Sequence, residues 1–425
     1  MTYNEAMKFI HGVSGVFCKP GLERISELCS ALDNPQSDLK FIHVAGTNGK
    51  GSTSTMLSSV LSEAGYKVGM YTSPYIYRFN ERIQVMGKEI SDEALISLCE
   101  QIKPIAENMK DKPTEFELIT AMAFEHFKCE ACDVIVLEVG LGGRFDSTNI
   151  IRNPALSIIT GISLDHTNLL GDTVEKIAAE KAGIIKDSAP VIYGGDSDSA
   201  FEVISDVARR LGSEVFRTDR GEICDTHLDL SGGCFSYKGW KNVSISLLGE
   251  YQFFNAALVL DSIELLRDRG FKIPRDAVYR GISAAHWKAR FEIISKNPLF
   301  IFDGAHNPEG VSAAVSSIKR YYPGGRVAII SGVLGDKDYR AVAASIASVA
   351  DRVFTITPGN QRALSAKEYA EVLEELGATA IPMPSIEDAV SAAVKYAKQM
   401  GKPLFCLGSL YTYSDVVNAL SSLGY

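Results

Sequence analysis

The stretch Phe41-Ile-His-Val-Ala-Gly-Thr-Asn-Gly-Lys50-Gly-Ser52 constrains this chain more than any other. An apolar run of strand length leads into a glycine-rich loop, a lysine and a helical pattern from Lys50 to Ala64. A strand joined to a helix by so short a loop belongs to a parallel sheet, because the chain must cross over before it can pair again in the same direction. The same order builds a phosphate cradle. Glycines let the backbone come close, successive N–H groups and the helix N-terminus face the anion, and the lysine reaches the outer phosphates. The loop departs from GxxxxGK[ST] in two places: Val44 stands where the first glycine belongs, and Gly51 displaces the hydroxyl residue to Ser52. An ordinary βα turn is the alternative reading.

Apolar runs alternate with helical patterns along the whole chain, which predicts an α/β protein. Strands are expected at Phe41–Ala45, Lys67–Tyr71, Asp133–Val139, Leu156–Ile162 and Pro190–Tyr193, with helices at Asp92–Asn108, Glu115–Lys128 and Thr173–Gly183. Glycines 232, 233 and 239 punctuate a small antiparallel excursion between Asp225 and Leu248, and a helix follows from Tyr251 to Arg267. A second βα series starts with Phe291–Ser295 and Leu299–Phe302 and continues at Arg326–Ser331, Arg352–Ile356 and Pro403–Leu407. The expected division is a nucleotide-binding domain over residues 1–297, with a mostly parallel sheet, and a smaller Rossmann-like α/β domain over 298–425.

A chain of 425 residues with 46% hydrophobic residues has ample material for two cores. Its net charge of -9, with Lys and Arg scattered, argues against nucleic acid as a partner. No apolar run reaches membrane-spanning length, and Asn4, Glu5, Lys8 and His11 interrupt any signal-like segment between Met1 and Pro20, so a cytoplasmic protein is expected. The 8 cysteines then read as reduced thiols, and the lone CxxC of Cys129 and Cys132 as two small apolar residues between a helix and a strand.

A phosphate site of this kind uses magnesium, and candidate ligands lie at strand ends. Asp133-Val-Ile-Val-Leu-Glu138 turns acidic at its carboxyl end, and Leu164-Asp165-His166 follows the strand from Leu156. In an open parallel sheet such ends share one crevice with the phosphate loop. Glu138 could instead cap a helix or pair with a cation, and His166 could be a satisfied loop histidine. Gly140-Leu-Gly-Gly143 is no dinucleotide fingerprint, because Phe145 occupies the third glycine's place.

These motifs resemble, in order, those of the folylpolyglutamate and dihydrofolate synthases, a branch of the Mur ligase superfamily. The matching stretches include Gly21-Leu-Glu-Arg-Ile25, His43 to Ser52, Thr72-Ser-Pro74, Asn80-Glu-Arg-Ile83, Phe116-Glu117, Leu137 to Asp146 and Thr148-Asn149. They continue through Leu164-Asp-His166, Glu180 to Lys186, Gly249 to Gln252, Asn255-Ala-Ala257, Arg290-Phe-Glu292, Phe302 to Pro308 and Gly408-Ser-Leu410. The resemblance implies an ATP-dependent ligase that phosphorylates a folate carboxylate to an acyl phosphate and joins it to L-glutamate. Reduced folate and dihydropteroate are the implied acceptors, ATP and Mg2+ the cofactors, and a monomer the implied state.

Carried over residue by residue, the resemblance assigns Thr47, Asn48, Gly49, Lys50, Gly51, Ser52, Asn255, Arg290 and Asp303 to ATP. Ser52, Ser73 and Glu138 surround one magnesium; His166 and Lys181, the latter as a carbamate, hold a second. His306 lies near the incoming glutamate, so Lys50, His166, Lys181 and His306 carry the chemistry. Tyr75, Phe116 and Phe145, flanked by Tyr77 and Phe79, suit a flat pterin. On sequence alone Lys181 reads rather as a neighbour of Glu180 on a solvated helix face. Another Mur-type amide ligase is the near alternative and a nucleotide-gated switch the distant one.

Overall fold

The computed structural model describes residues 1–13 and 20–425; Ser14 to Lys19, which include Cys18 and part of the N-terminal stretch discussed above, lie outside the described residues. The first sheet contains β1 (Phe41–Ala45), β2 (Val68–Tyr71), β3 (Ile83–Val85), β4 (Lys88–Glu89), β5 (Val134–Glu138), β6 (Leu156–Ile159), β7 (Val191–Tyr193) and β8 (Val215–Arg217). Their order is β4-β3-β2-β5-β1-β6-β7-β8. Pairing is parallel from β2 to β8, and β3 and β4 add an antiparallel edge. Every residue of β1, β5 and β6 is buried, as expected of parallel strands covered on both faces.

Several helices start at side-chain caps. The Ser91 hydroxyl accepts from the Ala94 N–H at the head of Asp92–Asn108, and Thr114 and Glu117 form a reciprocal capping box at the head of Glu115–Cys129. Cys129 closes that helix and Cys132 precedes β5, as the sequence suggested; among the described residues no cysteine is disulfide-bonded. The expected strand Leu156–Ile162 ends early, at Ile159. Beyond it the Gly161 carbonyl accepts from the Thr47 N–H, so this backbone serves the phosphate loop instead of lengthening the ladder.

The expected excursion is a three-stranded sheet of β9 (Ile223–Asp229), β10 (Gly232–Tyr237) and β11 (Trp240–Ile245). The third sheet comprises β12 (Glu292–Lys296), β13 (Leu299–Phe302), β14 (Val327–Ser331), β15 (Ala350–Thr355), β16 (Ala380–Pro382) and β17 (Leu404–Leu407), in the order β12-β13-β17-β14-β15-β16. It is parallel except for the β12–β13 hairpin.

The chain forms two compact units. The first takes in Met1–Cys224, Tyr237–Val243 and Phe254–Ala285; the second takes in Asp225–Ser236, Ser244–Phe253 and His286–Tyr425. The second unit thus begins before Asn297, because β12 pairs with β13 and Phe291 is buried in the core with Ile301, Ile329 and Phe405.

Within the first unit the helix Arg275–Ala284 packs on the helix Lys50–Glu63 at Gly281. A Cβ there would stand 2.4 Å from the Val60 Cα, so the helices touch backbone to backbone. Gly281→Ala is expected to destabilise the protein by about 1–3 kcal/mol, the usual cost of overpacking, as a fall in urea midpoint at unchanged slope.

Candidate active site

The phosphate loop is fixed by contacts that only glycine permits. Gly46 has φ +148°, and a Cβ on it would lie 1.7 Å from Thr160 Oγ1. Gly49, in the left-handed region at φ +88°, precedes the helix Lys50–Glu63, and a Cβ there would meet Asn255 Oδ1 at 2.6 Å. Thr160 donates its hydroxyl to the Asn48 carbonyl at 2.7 Å, tying the end of β6 to the loop. The loop therefore presents its N–H groups at a helix N-terminus, with Lys50 as the first helical residue. The Lys50 ammonium donates to the Gly46 and Thr47 carbonyls at 3.1 and 3.2 Å. Gly51 is half-buried and Ser52 is buried in the first turn behind it.

The carboxylate expected at the end of β5 is in place. Val44 of β1 stands opposite Glu138, and Glu138 is 3% exposed, so its charge sits beside the loop with little solvent around it. Ser73 follows β2 in a half-buried turn. The adjoining segment is held by the buried Glu81 carboxylate, which accepts from the Ile76 and Tyr77 N–H groups at 2.8 and 3.0 Å. His166, exposed and in the left-handed region at φ +49°, precedes a short helix, and its N–H donates to Asp165 Oδ1.

Lys181 is not a solvated neighbour of Glu180. It is 4% exposed and donates to the Gly46 carbonyl at 2.8 Å, whereas Glu180 turns out toward Arg144 at 3.8 Å. Burial, reinforced by the nearby Lys50 charge, lowers its pKa to about 7, so a large fraction of the amine is neutral near pH 7. Two glycines fix this helix against the loop after β5. A Cβ on Gly143 would meet the Glu180 and Lys181 carbonyls at 2.7 and 2.9 Å, and one on Gly183 would meet the Arg144 Cα at 2.5 Å.

Among the described residues no three His, Cys, Asp or Glu side chains gather into a metal cage. The residues expected to hold magnesium offer instead hydroxyls, one carboxylate, an imidazole and an amine. That sparse set suits Mg2+, which keeps waters and binds substrate phosphates, better than an ion needing an all-protein cage.

The expected aromatic residues lie beyond the carboxyl ends of β2 and β5 and at the head of the helix Glu115–Cys129. Tyr75, Tyr77 and Phe145 are exposed, and Phe116 packs on Tyr71, with its Cζ 2.5 Å from where a Gly140 Cβ would be. Arg82 had no role expected from the sequence. Its guanidinium lies 5.2 Å from the Tyr75 ring and 5.7 Å from that of Phe79, buried, with Nε making no hydrogen bond. The matched motif Asn80-Glu-Arg-Ile83 pointed to it without saying why. Thr160 carried no expected role either, because the apolar run Leu156–Ile162 places it inside a strand. A third omission is the buried chain from His43 Nε2 to Thr148 Oγ1 at 2.9 Å and on to Asp146 Oδ1 at 2.6 Å. Burial lowers the His43 pKa to about 3 and raises that of Asp146, and Asp146 also accepts from the Leu141 N–H, which shapes the loop after Glu138.

The second unit brings Arg290, Asp303 and His306 together. Asp303 is buried and accepts from Tyr251 Oη at 2.7 Å, the Phe291 N–H at 2.9 Å and the Ala305 N–H at 2.8 Å. Burial raises its pKa, opposed by the Arg290 charge and these hydrogen bonds. The Arg290 guanidinium donates to the Ala289 carbonyl and covers Gly304, and His306 Nδ1 bonds the Gly304 carbonyl at 2.9 Å.

With this geometry in place, the similarities are specific. Residues 44–262 match the Mur ligase middle domain and residues 289–410 the Mur ligase glutamate ligase domain. The chain is 37% identical to the dihydrofolate synthase/folylpolyglutamate synthase of Bacillus subtilis, across 97% of this chain and 98% of that one. A folylpolyglutamate synthase solved with AMPPCP and folate superposes with a TM-score of 0.87 at 33% identity, covering 99% of this chain and 100% of its own. Escherichia coli FolC in complex with DHPP and ADP superposes at 0.89 with 32% identity, covering 100% and 99%.

Thr160→Val keeps the side-chain volume near the loop but removes the bond to the Asn48 carbonyl. ADP affinity measured by calorimetry is expected to fall about tenfold, equivalent to one hydrogen bond of about 1.4 kcal/mol, with little change in melting temperature.

Proposed function

The chain belongs to the Mur ligase family, in its folylpolyglutamate and dihydrofolate synthase branch, and on that premise we propose that it joins L-glutamate to folates at the expense of ATP. The observation that carries the reading is the parallel register that sets buried Glu138 opposite Val44, one residue before the loop that leads to Lys50. The acceptor carboxylate takes the terminal phosphoryl group of ATP and releases ADP. The α-amine of glutamate then attacks the acyl carbon and expels phosphate, leaving an amide.

Phosphoryl transfer asks the chain for position and charge. The N–H groups of Asn48 to Ser52 receive the phosphates while the Thr47 N–H stays on the Gly161 carbonyl and braces the loop, and Lys50 exchanges its loop carbonyls for the outer phosphate oxygens. Ser52, Ser73 and Glu138 would hold one Mg2+, and His166 with Lys181 a second, which when bound would neutralise charge on the phosphates. Lys181, buried against Gly46 and readily neutral, is suited to combine with CO2 as a carbamate, turning a cation into an anionic ligand. Asn255 adjoins Gly49 and serves the base end of the nucleotide. In the second unit Arg290 and Asp303 serve the nucleotide, and His306 the incoming glutamate.

Tyr75, Phe116 and Phe145 offer aromatic faces to a pterin, with reduced folate and dihydropteroate both accepted. The same reading takes the enzyme as a cytoplasmic monomer. No described helix is long and apolar enough to cross a membrane.

Mass spectrometry of products from ATP, glutamate and a panel of folates and pteroates tests the reaction. Glutamate-dependent ADP release with tetrahydrofolate is expected, and it should disappear in a folded Lys50→Ala variant. Release with dihydropteroate alone would remove the chain-lengthening activity from this reading. For Lys181 the sign follows from its lowered pKa: the neutral amine that reacts with CO2 becomes the main form above about pH 7. With 13C-bicarbonate, a carbamate NMR signal is expected to grow from about pH 6 to about pH 8 and to be missing in Lys181→Ala.

A further inference from the structure

The helix Gln252–Asp268 delivers Asn255 to the phosphate loop, yet Asn255 lies in its first turn, where a helix frays most readily. Two features outside the residues assigned above hold that turn. The Gly194 N–H donates to the Ile159 carbonyl, which places Gly194 at the end of β6, and a Cβ on it would meet Leu258 Cδ2 at 2.6 Å. Leu258 lies one turn beyond Phe254, so the helix rests directly on this backbone.

The second feature is Arg220. Its Nε and Nη2 both donate to the Gly194 carbonyl, at 3.1 and 2.8 Å, and Nη1 reaches Asp196 Oδ2 at 3.2 Å. The same guanidinium lies 4.7 Å from the centre of the Phe254 ring, the residue preceding Asn255. One planar cation thus grips the loop after β7 by its edge and the first turn of the helix by its face, a combination open to Arg and not to Lys. Arg217 anchors the same loop through the Gly195 and Asp196 carbonyls and Asp198, but its ring partners are Tyr193 and Phe201, so it does not reach the helix turn.

We propose that Arg220 is a positioning residue for nucleotide binding, clamping Phe254 to the Gly194 loop so that Asn255 is held over Gly49. The inference rests on the assignment of Asn255 to the nucleotide. Arg220 itself touches neither the phosphate loop nor the acceptor side, so its effect passes through Asn255. It should strengthen ATP binding and leave later steps alone.

The test is a double-mutant cycle of Arg220→Ala and Asn255→Ala in the full chain, read by calorimetric ADP binding and steady-state kinetics, with melting temperatures for each variant. Arg220→Ala is expected to weaken ADP and raise the KM for ATP about tenfold, with kcat at saturating ATP and the KM for glutamate within about twofold. In the Asn255→Ala background it should change ADP affinity by less than about twofold, because its intermediary is gone. Arg220→Lys should behave like Arg220→Ala, and Arg217→Ala should keep near-native affinity. Additive losses in the double variant, a fall in kcat equal to that in kcat/KM, or native affinity in Arg220→Ala would overturn the proposal. If Asn255→Ala binds ADP normally while Arg220→Ala does not, the assignment of Asn255 fails and the clamp fails with it; the Lys50 and product measurements stand apart from both results.

Discussion

Everything at the candidate site hangs on one strand having two parallel neighbours. β1 pairs with β5 on one side and β6 on the other, so the phosphate loop emerges between an acidic strand end and a hydroxyl-bearing one. Glu138 reaches the loop from one side, and Thr160 ties it down from the other. Backbone ladders set these positions in ångström steps, a tighter constraint than flexible side chains provide. Glu138 and Lys181 are both almost fully enclosed, and charges so enclosed interact far more strongly than in water.

That enclosure sets the two lysines apart. Both find the Gly46 carbonyl, and their mutual repulsion adds to the burial that drives Lys181 toward its neutral form. Lys50 lies partly open at the helix start, whereas Lys181 is enclosed. The same residue type is thus half-buried at one position and enclosed at the other, and burial is the larger cause of the lowered pKa at the enclosed one.

Much of this was legible in the sequence because it is periodic or local. The bounds of β1 and of the helix Asp92–Asn108 follow from apolar patterning, and the phosphate loop follows from residue order. Residues defined by long-range contact were not legible. Nothing near Lys181 in the chain says that its helix turns that residue inward, since the neighbouring alanines fit a buried face and a crowded surface alike. Arg82, Thr160 and Arg220 matter through partners in other segments, and a single sequence carries no sign of such pairings. The early end of β6 has the same origin: apolar character continues to Ile162, but the Gly161 carbonyl is taken by Thr47 from another segment.

The glycine pair at 143 and 183 has a consequence for how the protein tolerates change. The loop after Glu138 and the helix carrying Lys181 touch through main chain, with no side chain between them. Replacing a leucine by an isoleucine elsewhere in the core alters volume and can shift a helix, but it cannot wedge these two segments apart. A single methyl group at either glycine would do so. The spacing between carboxylate and amine is thereby insulated from drift in the surrounding apolar residues and depends on two positions whose own side chains do no chemistry.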